Sequence, residues 1–113
     1  MQHSQAIAQK LAEIRPRFLA VLSQRLDRFE EIRDLLDAAD ISPLLEELRC
    51  GAHSTVGLAA TLGFGDLGAL AQKVELRANS ILQARNPTAS LPEFLACFDD
   101  LLGEMSLVVL ELE

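Results

Sequence analysis

The sequence has no tryptophan and no tyrosine, and its five phenylalanines are scattered along the chain. A core made from such a sequence must be largely aliphatic. Leucine and alanine dominate, which favours helix over sheet. Cysteine is scarce: Cys50 and Cys97 are fewer than a disulfide-stapled secreted scaffold of this size usually carries. Positive charge is scarce as well, with ten Lys and Arg against seventeen Asp and Glu and a net charge of −7. No cluster of Lys or Arg offers a basic face, so no nucleic-acid partner is expected. The same deficit argues against an anionic membrane surface, and no apolar run approaches the length that crosses a bilayer. The opening MQHSQAIAQK has no apolar core of signal-peptide length, and a cytoplasmic location is the expectation. There is no phosphate-cradling glycine loop of the P-loop type and no room for a nucleotide-binding kinase domain, so no ATP-dependent kinase activity is expected.

What is present is enough for one folded domain over residues 1–113. The chain is 50% hydrophobic and 24% charged, which places it among folded soluble proteins rather than disordered ones. Helical spacing recurs throughout. Ile7, Leu11 and Ile14 form a short apolar stripe, and Pro16 then predicts an interruption and the start of a second helix. That helix carries Phe18, Leu22, Leu26, Phe29, Ile32 and Leu36 on one face, with Arg25, Arg28, Glu31 and Asp34 on a face read as solvated. Asp40-Ile41-Ser42-Pro43 connects to the next helix, with Ser42 as cap and Pro43 in the first helical position. Leu45, Leu48, Ala52, Thr55, Ala59 and Leu62 give its buried side. Gly63-Phe64-Gly65-Asp66 breaks it, and Asp66 is placed to cap a helix with the stripe Leu67, Leu70, Val74, Ala78 and Ile81. Residues 86–90 read as a loop. Ser90 and Glu93 have capping-box spacing ahead of a last helix with Phe94, Phe98, Leu101, Met105, Val108 and Leu112. Short connections between long amphipathic helices predict antiparallel neighbours.

The stretch GAHSTVGLAATLGFG, residues 51–65, raises the functional question. Position 53 follows the core position Ala52 by about 100° around the helix, so His53 falls at or beyond the edge of the buried face. Arg49, Val56, Gly57 and Ala60 share that strip. Gly57 lowers helix stability by about 1 kcal/mol relative to Ala. Two readings explain it: a partner that must come close to the imidazole, or a neighbouring helix that crosses tightly at Gly57. Other chemistry finds little support. Cys50 and His53 are three apart, but with only His3 and Cys97 as further candidates no four-ligand zinc site can be assembled. The Glu-x-x-His pairs of di-iron bundles are absent. Ser54 adjoins His53, yet adjacent helical residues point in different directions, so no Ser-His-Asp or Cys-His arrangement emerges.

His53, then Gly57, then Leu62-Gly63, within AHSTVGLAATLGFGDLGALAQKVE, resembles the signature of the histidine-containing phosphotransfer (HPt) domain. The following Leu67, Leu70, Val74 and Glu75 correspond to the family's next helix. The resemblance is close in the middle third of the chain, and the outer helices match in length and amphipathicity. It implies an all-α fold, an antiparallel four-helix bundle with an additional short N-terminal helix. It implies His53 as phosphoacceptor, exchanging a phosphoryl group with the aspartate of response-regulator receiver domains. A hybrid histidine kinase is a further candidate partner. No cofactor is expected on this chain, and Mg²⁺ is expected on the partner receiver. A monomer is expected.

The chemistry is consistent with the residue type. A neutral imidazole is nucleophilic near pH 7 and needs no separate base, because the attacking nitrogen already has a lone pair. The resemblance implies that the receiver supplies the metal and most transition-state stabilisation, while the bundle supplies position. Many family members carry Lys three residues after the histidine, and this chain has Val56. Arg49 and Lys73 are the candidate replacements for its charge, while Val56 extends an apolar docking patch with Gly57 and Ala60, and Gly63 forms the structural turn. The missing Lys also leaves room for a second reading, a helical module that docks on a receiver or histidine kinase as a regulator without carrying phosphate. A third, a structural bundle engaged only in oligomerisation, predicts no receiver binding.

Overall fold

A computed structural model of the protein describes residues 2–37, 40–84 and 91–113. Four helices account for nearly all of them: α1 (Gln2–Leu35), α2 (Ser42–Leu62), α3 (Gly65–Gln83) and α4 (Leu91–Leu112). No strand occurs among the described residues. The loop expected at 86–90, including the Ser90 half of the Ser90–Glu93 pair, lies outside them.

Each helix packs against two others. α1 touches α2 and α4, and α3 touches α2 and α4, so α1 faces α3 and α2 faces α4 across the diagonals. The core is the sum of the four apolar stripes. Phe18, Leu22, Leu26, Phe29 and Ile32 on α1, and Leu36 just after it, are all buried, as their spacing predicts. α2 contributes Leu45, Leu48, Ala52, Thr55 and Ala59. On α3 the stripe is Leu67, Ala71, Val74, Ala78 and Ile81, so Ala71 takes the interior position and Leu70 is only half-buried. α4 buries Phe94, Cys97, Phe98, Leu101, Met105 and Val108. Phe98 ties α4 to α1, meeting Phe29 edge-on at 5.8 Å, and packs on Phe94 of its own helix at 5.9 Å between ring centres. α2 and α3 form the most extensive contact because small residues face each other, with a Cβ on Gly68 lying only 3.5 Å from Ala59 Cβ.

The N-terminal helical segment is present, but it continues into the next without the break expected at Pro16. The proline removes one helical hydrogen bond, from its own missing N–H to the carbonyl of Ala12. Residues 12–17 are all exposed, so water can take that carbonyl and no packing demands a turn. The first buried residue of α1 is Phe18, and the helix before it stands clear of the bundle. The molecule measures 57 × 21 × 19 Å as a result.

Two expected caps are also different. α2 begins at Ser42 itself, without a side-chain cap, and Pro43 sits within the first two helical positions. Asp40 Oδ1 instead accepts the Ser42 N–H at 3.2 Å. α3 begins at Gly65, which moves Asp66 into the first turn, where its charge favours the helix N-terminus without a capping hydrogen bond. The polar face of α1 is not simply solvated. Arg28 forms a forked pair with Glu47 of α2, with N–O distances of 2.6 and 2.9 Å. Arg33 reaches Asp99 of α4 at 2.7 Å, which holds that carboxyl below the usual range. Arg25 donates at 3.0 Å to Thr55 Oγ1, the one buried polar side chain among the described residues, and the Thr55 hydroxyl donates in turn to the Gly51 carbonyl. These pairs fix α1 laterally against α2 and α4.

Candidate functional site

The turn between α2 and α3 sets the geometry of the site. Gly63 closes α2 in the left-handed region, φ 76°, a conformation that favours glycine. The Phe64 N–H then donates to the Ala59 carbonyl at 2.9 Å, and its ring stacks on Phe18 with 6.0 Å between centres. The hairpin therefore pivots at residue 64. Residues equally distant from the pivot lie at the same height on the two helices. His53 precedes it by eleven residues and Glu75 follows it by eleven.

The two side chains meet there. His53 Nδ1 lies 2.6 Å from Glu75 Oε2. A carboxylate has no proton to give, so Nδ1 carries the hydrogen and donates it. Nε2 is left with its lone pair, pointing away from the contact. The imidazole is 73% exposed, while the Glu75 side chain is only 21% exposed. A mostly covered carboxylate thus fixes the tautomer of an open ring, which stands on the outer side of α2 near its midpoint. Glu75 belongs to the sequence segment compared above, but its partnership with His53 was not read from it. The available signal was the mirror symmetry of the two positions about the turn.

Gly57 is exposed one turn beyond His53, and a Cβ placed there would meet no atom within 4 Å. No helix crosses it. The tight-packing explanation fails for this glycine and holds for a different one: a Cβ on Gly51 would lie 2.8 Å from the Phe29 ring. Ala60 is exposed and Val56 half-buried on the same side. Both line a shallow groove of about 340 Å³ that runs from the turn towards His53, together with Gly63, Phe64, Gly68 and Gln72. On the side towards the turn the surface beside the imidazole is thus low, with the small residues Gly57 and Ala60 nearest along α2.

The two cations proposed for the vicinity are placed differently. Arg49 lies one turn before His53 and is engaged by Glu46 on its own helix. Glu46 holds the guanidinium above its ordinary range, with a smaller contribution from Glu75, so Arg49 stands within the field of the carboxylate that holds His53. Lys73 is exposed two residues before Glu75, about 200° around α3, and points to the other side of that helix. Burial pushes the Cys97 thiol on α4 up, and the charges of Arg77 and Lys73 partly offset this. The structure therefore brings Arg49 near the His53–Glu75 pair and leaves Lys73 on the α4 side. Cys50 is exposed and Cys97 is buried, and both are free thiols.

Among the described residues no group of three or more His, Cys, Asp or Glu is arranged to hold a metal ion. No described helix is long and apolar enough to cross a membrane. Searches of curated proteins and of solved structures found no match. A family model does match: the Hpt domain, over residues 13–106, which takes in the α2–α3 hairpin with His53 and most of α1 and α4. With most of its length aligned, the chain belongs to the Hpt domain family, the histidine phosphotransfer domains that work with receiver domains and kinases in phosphorelays.

Proposed function

We propose that His53 is the phosphoacceptor of this chain and that it exchanges a phosphoryl group with the aspartate of receiver domains. The observation that carries the reading is the His53–Glu75 pair: Nδ1 is occupied by a carboxylate and Nε2 is open to solvent. In the forward step the Nε2 lone pair attacks the phosphorus of an aspartyl phosphate. The P–N bond forms as the P–O bond to aspartate breaks, and the aspartate leaves as a carboxylate. The ring gains positive charge, which Glu75 stabilises through the Nδ1 proton that it already accepts. Reversal passes the group to a second receiver. Mg²⁺ belongs to the receiver, where it screens the phosphoryl oxygens. Gly57 and Ala60 leave clearance for the partner, and Val56 adds apolar contact area. Arg49, one turn before His53, is the candidate cation for the new phosphoryl group, but Glu46 already engages it. Receivers and hybrid kinases work inside the cell, so the proposed location is the cytoplasm.

Incubation with a phosphorylated receiver and Mg²⁺ tests the proposal. Label should move to the chain, survive base and be lost in acid, and His53→Gln should abolish it. The second reading, a module that docks without accepting phosphate, rests on Val56, which leaves no cation three residues after the histidine. Receiver binding with no transferred label, using a receiver panel that labels a known histidine acceptor, would establish that reading and overturn the first.

A further inference from the structure

The segment of α1 that precedes Phe18 contributes no buried side chain among the described residues. Every side chain from Gln5 to Arg17 that can be placed, all but that of Leu11, is exposed. Its residues up to 12 also precede the family match. A helix of this length, about 24 Å for sixteen residues, is marginal in isolation, and Pro16 weakens it further. It is nevertheless patterned for contact. Ile7, Ile14 and Val21 recur at intervals of seven and are 60%, 38% and 40% exposed. Ile14 and Val21 continue into an apolar groove against Leu58 and Leu62 at the lower end of α2. This segment also carries a net positive balance in an acidic protein. Residues 2–17 hold Lys10, Arg15 and Arg17 against Glu13, whereas the rest of the chain has seven cations against sixteen anions.

A complementary surface exists at the same end of the bundle. α4 runs down to that end and exposes Leu107 (61%) and Leu110 (66%), the two most exposed large apolar side chains of the described residues. Gly103, one turn earlier, is exposed, and a Cβ there would touch nothing within 4 Å. Glu104, Glu111 and Glu113 flank this strip, and α4 contains no Lys or Arg. Acidic residues at a helix C-terminus oppose the helix dipole, which favours cations there. The strip lacks what the N-terminal segment has: apolar side chains to cover the leucines and cations for a negative helix end.

We infer that two copies of this chain pair, the basic N-terminal segment of each lying on the acid-flanked Leu107–Leu110 strip of the other. A twofold axis satisfies both contacts at once, because each copy offers one segment and one strip. The size is adequate. Half the lateral surface of a helix 10 Å wide is about 380 Å² over the 24 Å segment and about 240 Å² over the 15 Å from Gly103 to the end of α4, so the two give about 600 Å² per copy, the low end of what specific interfaces bury. The strip is on α4, diagonally across the bundle from α2, so pairing leaves both His53 side chains open. The sequence alone led to the expectation of a monomer, and the chain mass in solution decides between the two.

Sedimentation of the full chain at about 100 μM and low salt should give twice the 12.4 kDa chain mass. Leu107→Glu with Leu110→Glu should return the mass to that of one chain with helical content unchanged, and Ile7→Glu with Ile14→Glu should do the same. A mixture of Lys10→Glu/Arg15→Glu chains with Glu104→Lys/Glu111→Lys chains should restore a dimer that neither forms alone. A wild-type chain that sediments as a monomer overturns the inference. So does a dimer that survives the α4 substitutions, since the N-terminal segments would then be pairing with each other. Transfer of label to His53 is a separate readout, and its failure would leave the mass measurements standing.

Discussion

Replacing Gly57 should make the protein more stable and less able to exchange phosphate. The position is in the middle of α2, exposed, with no atom within 4 Å of an added Cβ. Substitution therefore meets no clash, and the helix gains what glycine withholds, about 1 kcal/mol for Ala and slightly less for Leu. For a chain of this size that is a rise of about 4 °C or more in Tm. The function should move the other way. A leucine one turn from His53 stands on the same strip and projects by several ångströms into the space through which an aspartyl phosphate must approach. A displacement of about 1 Å in such a geometry slows transfer by on the order of a hundredfold. Gly57→Leu should thus combine a raised Tm with a transfer rate at least tenfold lower, while Gly57→Ala should raise Tm with a smaller loss. The control is Gly51→Ala, which drives a methyl group against the Phe29 ring at 2.8 Å and should destabilise by about 1–3 kcal/mol. Thermal melts and the initial rate of label transfer from a phosphorylated receiver measure both halves. A Gly57→Leu protein with a higher Tm and an unchanged rate would refute the clearance argument.

Two further substitutions probe the electrostatics of the site. Glu75→Ala removes the acceptor of the His53 Nδ1 proton and should lower transfer by about tenfold, the low end for a charge-assisted hydrogen bond because the ring is mostly exposed; Glu75→Gln, which keeps an acceptor oxygen, should recover much of the rate, and ¹⁵N NMR should show a single tautomer in the wild type and a mixture in the alanine variant. Val56→Lys places an ammonium one turn after His53 and should shift the equilibrium towards the phosphorylated chain by about five- to thirtyfold, from about 1–2 kcal/mol of attraction at 4 Å in a watery setting; the ratio of label on the chain to label on the receiver measures it, and an unchanged ratio would place the phosphoryl group elsewhere.

The fold was legible wherever burial alone decides structure. The stripe from Phe18 to Leu36 appears in the structure residue for residue. It was less legible where two small energies compete. Leu70 and Ala71 both fit an apolar position on α3, and the narrow contact with α2 selects the smaller one for the interior. Pro16 looked like a boundary, but a fully exposed helix can lose one hydrogen bond to water and continue. Ser42 and Asp66 have the composition of caps, yet cap geometry depends on where the preceding chain arrives, and composition does not reveal that. His53 and Gly57 stood out because an exposed histidine and an unhelpful glycine violate local preference, and local violations tend to gather at functional sites. Arg25, Arg28 and Glu75 violate nothing. Their roles come from contacts between helices, which a periodicity along one helix cannot show.

The immediate surroundings of His53 divide labour unevenly. On the proposed reading Glu75, as acceptor of the Nδ1 hydrogen, assists the attack of Nε2, but its negative charge does nothing to hold the arriving phosphoryl oxygens. No described cation contacts the imidazole: Arg49 is committed to Glu46, and Lys73 faces α4. A chain carrying −7 overall adds no favourable background field. On the proposed reading the phosphoryl charge must therefore be neutralised almost wholly by the receiver and its metal while the two proteins are in contact. After separation the phosphorylated chain keeps a group it stabilises poorly, at a disadvantage of about 1–2 kcal/mol relative to a site with an adjacent lysine. That is a useful property for an intermediate, since a carrier that binds its cargo too well would stop the relay at its own histidine.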